Sequence, residues 1–152
     1  MPELRVLCRV VTYDPATHSI LLVRNRGQKW WCAPGGGWAY AQETMLGCAK
    51  RETLEETGVQ VNIIKFLYAQ TLYIKRQDST WLEQFWLAEP AGSVEIPQGH
   101  IDQHGVVDEA RWFNQAEAQA ITVYPEILKN AFWDVVVGVI QEKDRYLGHF
   151  VL

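Results

Sequence analysis

The chain has 152 residues, 48% of them apolar and 21% charged, with a formal net charge of −4. That composition excludes a disordered or low-complexity chain and fits one globular domain over residues 1–152. The negative balance argues against a general nucleic-acid surface, yet admits a single nucleotide, because a bound cation inverts the local charge.

Residues 4–13 read as a strand, residues 14–18 as a turn, and residues 19–24 as a second strand. A basic loop over residues 25–29 precedes Trp30, Trp31, Cys32 and Ala33, then the punctuation Pro34-Gly35-Gly36-Gly37, which reads as a turn. Thr44 is placed to N-cap a helix running to about Thr57, and Gly58 to end it in a left-handed conformation. Residues 59–70 are strand-like. Residues 73–75 and 80–87 form an expected hairpin around a turn at residues 76–79. Residues 92–107, with three Gly, one Pro and two His, read as a loop, and residues 111–113 as a short strand. A second long helix is expected over residues 126–141 after Pro125. Strands interleaved with two substantial helices predict an α/β layered domain.

Cys8, Cys32 and Cys48 lack CxxC spacing, so they predict neither a disulfide framework nor a zinc site. The residues following Met1 carry no charged leader with a cleavage site, and the longest apolar run, residues 135–140, is too short to span a bilayer. The expectation is a cytoplasmic protein without a membrane or nucleic-acid partner. The stripe Phe132, Trp133, Val136, Val137 and Ile140 reads as core or as a homodimer surface.

The chemistry concentrates in residues 37–59. Glu52, Glu55 and Glu56 lie at i, i+3 and i+4, within an arc of roughly 100° on one helical face. Like charges at this spacing repel by roughly 0.2–0.5 kcal/mol per pair, and Arg51 offsets only part of that. An ordinary Glu-rich helix face is solvated. Three glycines immediately upstream point further, since they permit a close backbone approach to a metal or phosphate. A P-loop switch is disfavoured, because no G-x₄-GK[ST] is present.

This segment resembles the Nudix box: G, five residues, E, seven residues, then R-E-U-x-E-E-x-G-U with U aliphatic. Gly37, Glu43, Arg51, Glu52, Glu55, Glu56, Gly58 and Val59 match it. At about 5–7% usage per residue type, so many chance matches are improbable. Thr53 departs from the first U, and one extra residue lies between Pro34 and Glu43, which leaves Gly36 and Gly37 as alternatives for the family's metal-binding carbonyl. Trp31 to Gly37 and Asp108-Glu109-Ala110-Arg111-Trp112-Phe113 extend the likeness, which covers most of residues 4–140 and leaves out the tail from Asp144.

The resemblance implies an α/β/α sandwich with a mixed sheet and a hydrolase that cuts a pyrophosphate linkage in a small nucleotide-like substrate. Mg²⁺, or Mn²⁺, is the implied cofactor, with Glu52, Glu55, Glu56 and the Gly36 or Gly37 carbonyl as ligands. Glu52 is the implied general base and Arg51 the group that orients the carboxylates. Glu43 is either an auxiliary ligand or structural. His100, Asp102, His104, Asp108 and Glu109 are alternative bases or simply loop residues. Trp38 and Tyr40 are candidates for stacking on a base, and Arg24 and Arg26 for phosphate contact. A catalytically silent nucleotide-binding domain of the same fold is the alternative.

Overall fold

The computed structural model describes residues 3–136 and 145–152. Strand β1 (Glu3–Asp14) turns into β2 (Ser19–Asn25), followed by the short β3 (Trp31–Cys32) and β4 (Gly35–Gly37). Helix α1 (Met45–Thr57) leads to the long pair β5 (Val61–Ile74) and β6 (Ser79–Pro90). After an irregular stretch come β7 (Val107–Asn114), α2 (Gln115–Gln119), β8 (Val123–Tyr124), α3 (Ala131–Val136) and β9 (Tyr146–Val151).

One half of the sheet is mixed. β1 pairs antiparallel with β4 on one side and parallel with β6 on the other; β6 pairs antiparallel with β5, and β5 parallel with β9. The other half joins it at the Tyr13↔Ile20 corner, where β2 leaves β1 to pair with β7 and β3, and β3 with β8. Alternation along β1 sends Val11 into a core with Ile20, Leu22, Trp31, Phe85, Phe113, Phe132 and Trp133, while Cys8 and Val10 face a second core with Cys48 and Ala49 of α1. Helix α1 thus lies on one face, and α2 with α3 on the other. This is the layered α/β/α arrangement with a mixed, curled sheet that the sequence implied. Among the described residues no helix is long and apolar enough to cross a membrane.

Several expectations change. The three glycines are a strand, not a turn: Arg9, Cys8 and Leu7 pair with Gly35, Gly36 and Gly37. A Cβ on Gly35 would strike the Cys8 carbonyl and Arg9, so bare backbone is what lets this strand close on β1. The expected break after Gln70 is absent, and β5 runs on to Ile74, with its turn at a 3₁₀ segment, Lys75–Gln77. Among the described residues the second helix does not run unbroken from Glu126, and residues 137–141 of that expectation lie outside them. A 3₁₀ turn, Glu126–Lys129, stops at Asn130 (φ −134°, ψ −79°), and Trp133 donates its Nε1–H to the Leu128 carbonyl at 2.7 Å across the break. Phe132 and Trp133 are core, which removes them from any dimer surface; Val136 packs against that core, whereas Val137 and Ile140 lie outside the described residues. The tail supplies a strand, β9, that no local pattern announced.

Candidate active site

Helix α1 begins and ends as its sequence predicts. Thr44 accepts from the Gly47 amide at 3.0 Å, and Gly58 takes φ +75° with its N–H on the Leu54 carbonyl. Thr53, at the position where the Nudix pattern has an aliphatic residue, is fully buried and donates its hydroxyl to the Ala49 carbonyl at 2.8 Å. Its methyl group can therefore pack as an aliphatic would, with the polar group satisfied inside the helix.

Arg51 organises the outer carboxylates. Its Nε and Nη2 grip both oxygens of Glu43 at 2.8 Å, while Nη1 reaches Glu52 at 3.0 Å and Glu55 at 3.1 Å. The fork geometry of guanidinium suits such bidentate pairing. Hydrogen bonding to Arg51 holds Glu43 down at about 2. Glu52 behaves in the opposite way: burial raises it, with Arg51 opposing. Glu56 lies on the inner side of the helix, where burial pushes it up to about 8 against the nearby charge of Arg9. The Gly35 amide donates to its Oε2 at 3.3 Å.

The glycine strand meets this helix face directly. A Cβ on Gly36 would fall 2.5 Å from the Glu52 Cδ, whereas one on Gly37 would meet the Arg5 Nη2 at 3.2 Å. Of Gly36 and Gly37, it is therefore Gly36 that abuts the carboxylate set. The Cys48 thiol lies 3.7 Å from the Gly36 carbonyl and 3.5 Å from that of Gly37.

The loop between β6 and β7 closes over the C-terminal end of α1. A Cβ on Gly58 would strike Pro97 and His100. His100 Nε2 lies 2.8 Å from the Glu55 carbonyl, a group the helix end leaves without an intrahelical partner. Asp102 is buried and accepts the amides of His104, Val106 and Val107 at 2.9–3.1 Å, which makes it the internal tie of this loop. The tie places His104 Nε2 3.2 Å from Glu55. Asp108 and Glu109 are instead paired with Arg24, at 3.4 and 2.9 Å. Arg26 donates to the Gly105 carbonyl at 3.3 Å.

Trp38 donates its Nε1–H to the Glu43 carbonyl at 2.9 Å and meets Tyr40 edge-on at 6.1 Å. The two line a shallow hollow with Ala39, Ala41 and Gln42, and Tyr40 is 79% exposed. Sequence reading missed a second group, Arg9, Gln70 and Glu83, which meets beneath the glycine strand. Its signal was available: Arg9 is the one charge in the apolar run Leu7–Val11, and Glu83 stands among the aromatic residues of residues 81–86.

Comparison with known proteins agrees with the fold and the box. The NUDIX domain profile matches residues 3–132, so the chain belongs to the Nudix hydrolase family. It is 28% identical over 126 residues to the NAD-capped RNA hydrolase ndx-9 of Caenorhabditis elegans; that match takes in 77% of this chain and spans only 31% of the relative's length. A NUDIX hydrolase from Nitrosomonas europaea superimposes with a TM-score of 0.69 at 16% identity, over 99% of this chain and 80% of that one. A UDP-X diphosphatase does so with 0.67 at 16% identity, over 96% and 66%.

Proposed function

We propose that the chain hydrolyses a pyrophosphate linkage in a nucleoside diphosphate derivative (ADP-ribose-like) or a nucleoside triphosphate, with Mg²⁺, or Mn²⁺ in its place. The observation that carries this reading is the set of four carboxylates, Glu43, Glu52, Glu55 and Glu56, gathered by Arg51 and the glycine strand around one helix face.

Among the described residues no three His, Cys, Asp or Glu side chains converge on one point as a ready metal cage. The donor set nevertheless fits a hard cation, since Mg²⁺ takes carboxylate and carbonyl oxygens and keeps several waters. Glu52 and Glu56 are both raised by burial, so the protein alone leaves them short of positive charge. Glu52, Glu55, Glu56 and the Gly36 carbonyl would hold the ion, with the Gly37 carbonyl as the alternative. When bound, it supplies charge neutralisation for the phosphate oxygens and acidifies water.

The chain's own residues do the rest. Glu52 accepts a proton from the attacking water at a carboxylate oxygen, with its orientation set by Arg51 and by the wall of Gly36. Arg51 keeps Glu43 ionised and the carboxylates in register. His104 and His100 hold Glu55 and the helix end, so their contribution is to position it. Trp38 and Tyr40 offer aromatic faces beside the site for a base or the second moiety. Relatives named for NAD-capped RNA and UDP-X support a nucleoside diphosphate linked to another group. A silent nucleotide-binding domain is the competing reading, and the intact box carboxylates weigh against it. A cytoplasmic location and a small-molecule partner complete the proposal. The test is a panel of ADP-ribose, NAD, UDP-sugars and nucleoside triphosphates incubated with Mg²⁺. Release of a mononucleotide or a phosphate product from at least one is expected, and inertness towards all of them would favour the silent domain.

A further inference from the structure

Beneath the glycine strand lies a largely buried polar group with no part in the chemistry assigned above. Arg9, on β1, donates Nε to Glu83 Oε1 at 2.7 Å and Nη1 to the Ala33 carbonyl at 3.1 Å. Glu83, on β6, is 4% exposed and accepts from Gln70 Nε2 of β5 at 2.7 Å on its other oxygen. Three adjacent strands thus contribute one connected set. Burial alone would lower Arg9, but Glu83 outweighs it, so the guanidinium stays charged.

Ion pairs removed from water are costly to keep, and apolar residues of similar volume often serve stability as well or better. The connections of this one suggest what it does. The Ala33 carbonyl that Arg9 holds sits two residues before Gly35, and the Val10 amide holds the intervening Pro34 carbonyl at 2.9 Å. The Arg9 Cα and Cγ back directly onto Gly35, at 2.6 and 2.7 Å from where a Cβ would stand. From Gly35 the amide reaches Glu56, and the next residue, Gly36, walls in Glu52. One side chain therefore contacts the stretch of backbone that meets two of the carboxylates.

We propose that Arg9 is a positioning residue for the reaction: it clamps residues 33–35 against α1, and Glu83 and Gln70 hold Arg9 in place. This rests on the pyrophosphohydrolase reading for its kinetic consequence, but not for its structural one. Lysine would not substitute, because a single ammonium cannot reproduce the planar fork that meets Glu83 and the Ala33 carbonyl in two directions.

The test uses two variants of the full chain. The double variant Arg9→Met with Glu83→Gln removes both charges, fills the space and leaves Gln70 an amide partner. Arg9→Lys keeps the charge and loses the fork. Both are compared with wild type by kcat and KM on the best panel substrate, by melting temperature, and by hydrogen exchange of the Gly35 amide. A misplaced reacting group commonly costs up to about 100-fold, so kcat is expected to fall about 10–100-fold while KM stays within about threefold. The Gly35 amide is expected to exchange at least about 10-fold faster, through local opening that leaves the melting temperature near wild type. A merely structural pair gives another pattern, with kcat following the melting temperature and Gly35 exchange unchanged; that result overturns the proposal. If the double variant does not fold, Arg9→Lys decides alone. Wild-type inertness on the whole panel would remove the hydrolase reading, and the exchange measurement would still decide whether Arg9 holds the strand.

Discussion

Glu52 and Gly36 are in contact across the helix–strand boundary, so close that a Cβ on Gly36 would lie 2.5 Å from the carboxylate carbon. The neighbouring glycine differs, since a Cβ on Gly37 would meet the mobile end of Arg5 at 3.2 Å. Gly36→Ala should therefore displace Glu52 and lower kcat about 10–100-fold, whereas Gly37→Ala should cost only a few-fold. Steady-state kinetics on both variants, with melting temperatures to exclude unfolding, checks the contrast. Equal losses would mean that contact with Glu52 is not what matters.

Glu52 is expected to be the most damaging carboxylate to neutralise. Glu52→Gln keeps shape and removes charge, so kcat should drop about 10²–10⁴-fold, the usual value of general-base help. Asp108 and Glu109 are engaged by Arg24, so Asp108→Asn and Glu109→Gln should be mild, with Glu43→Gln intermediate. Measuring the four single variants at saturating Mg²⁺ ranks them. A deeper fall in either loop variant would move the base to the loop.

Arg51 holds three carboxylates together, and its removal leaves them facing one another. Arg51→Met should cost about 1–3 kcal/mol in chelator-treated protein, as expected for lost hydrogen bonds to charged groups at a partly exposed site. Added Mg²⁺ or Mn²⁺ should stabilise this variant more than wild type, because the cation relieves the same repulsion. Thermal melts with and without metal test this. An equal metal-induced shift in both proteins would argue that the ion does not sit among these groups.

The carboxylates also predict an acid optimum for the metal-free protein. Glu56 is raised by burial from 4.5 to about 8, so the folded chain holds a proton that the unfolded chain releases. Its contribution to stability is complete below the unfolded value, shrinks as pH rises, and is gone above about 8. Glu43 has the opposite sign: Arg51 depresses it to about 2, so its contribution is present above the unfolded value and is lost as pH falls towards 2. The melting temperature without metal should peak near about pH 5 and decline towards pH 8. Glu56→Gln should flatten that decline, and a decline that persists would assign it to another group.

Tyr40 and Trp38 should shape substrate affinity. Tyr40 makes no hydrogen bond through its hydroxyl among the described residues and is widely exposed, so Tyr40→Ala is the cleaner probe. Loss of one stacking face is expected to raise KM about 3–10-fold with kcat nearly unchanged. Trp38→Ala should affect both constants, because its indole N–H also holds the Glu43 carbonyl. Unchanged KM in both variants would place the base elsewhere.

Local signals made α1 legible. Thr44 and Gly58 act on neighbouring amides and carbonyls, and the spacing of Glu52, Glu55 and Glu56 follows from helical geometry alone. Where the reading failed, the deciding partner was distant in sequence. The glycines look like a turn until β1 is beside them, and β9 becomes a strand only by joining β5, with Leu72 opposite Phe150. The apolar pattern after Pro125 suits a long helix, yet Trp133 and Leu128 settle into a break, and tertiary packing overrides local propensity there.

The sequence by itself determined the family, the carboxylate face of α1, its caps and the layered fold class, because each depends on residue types at short, regular spacing. Tertiary structure decided which glycine touches Glu52, that Asp102 ties a loop which sets His104 on Glu55, that Arg24 occupies Asp108 and Glu109, and that Arg9, Glu83 and Gln70 meet behind the site. Apart from the local tie at Asp102, those relationships join residues 13 to 85 positions apart, as Gln70 to Glu83 and Arg24 to Glu109 do, and only the tertiary fold brings them together. Periodicity carries no information about such pairs, since a strand's alternation states which face a side chain takes and not which strand lies opposite.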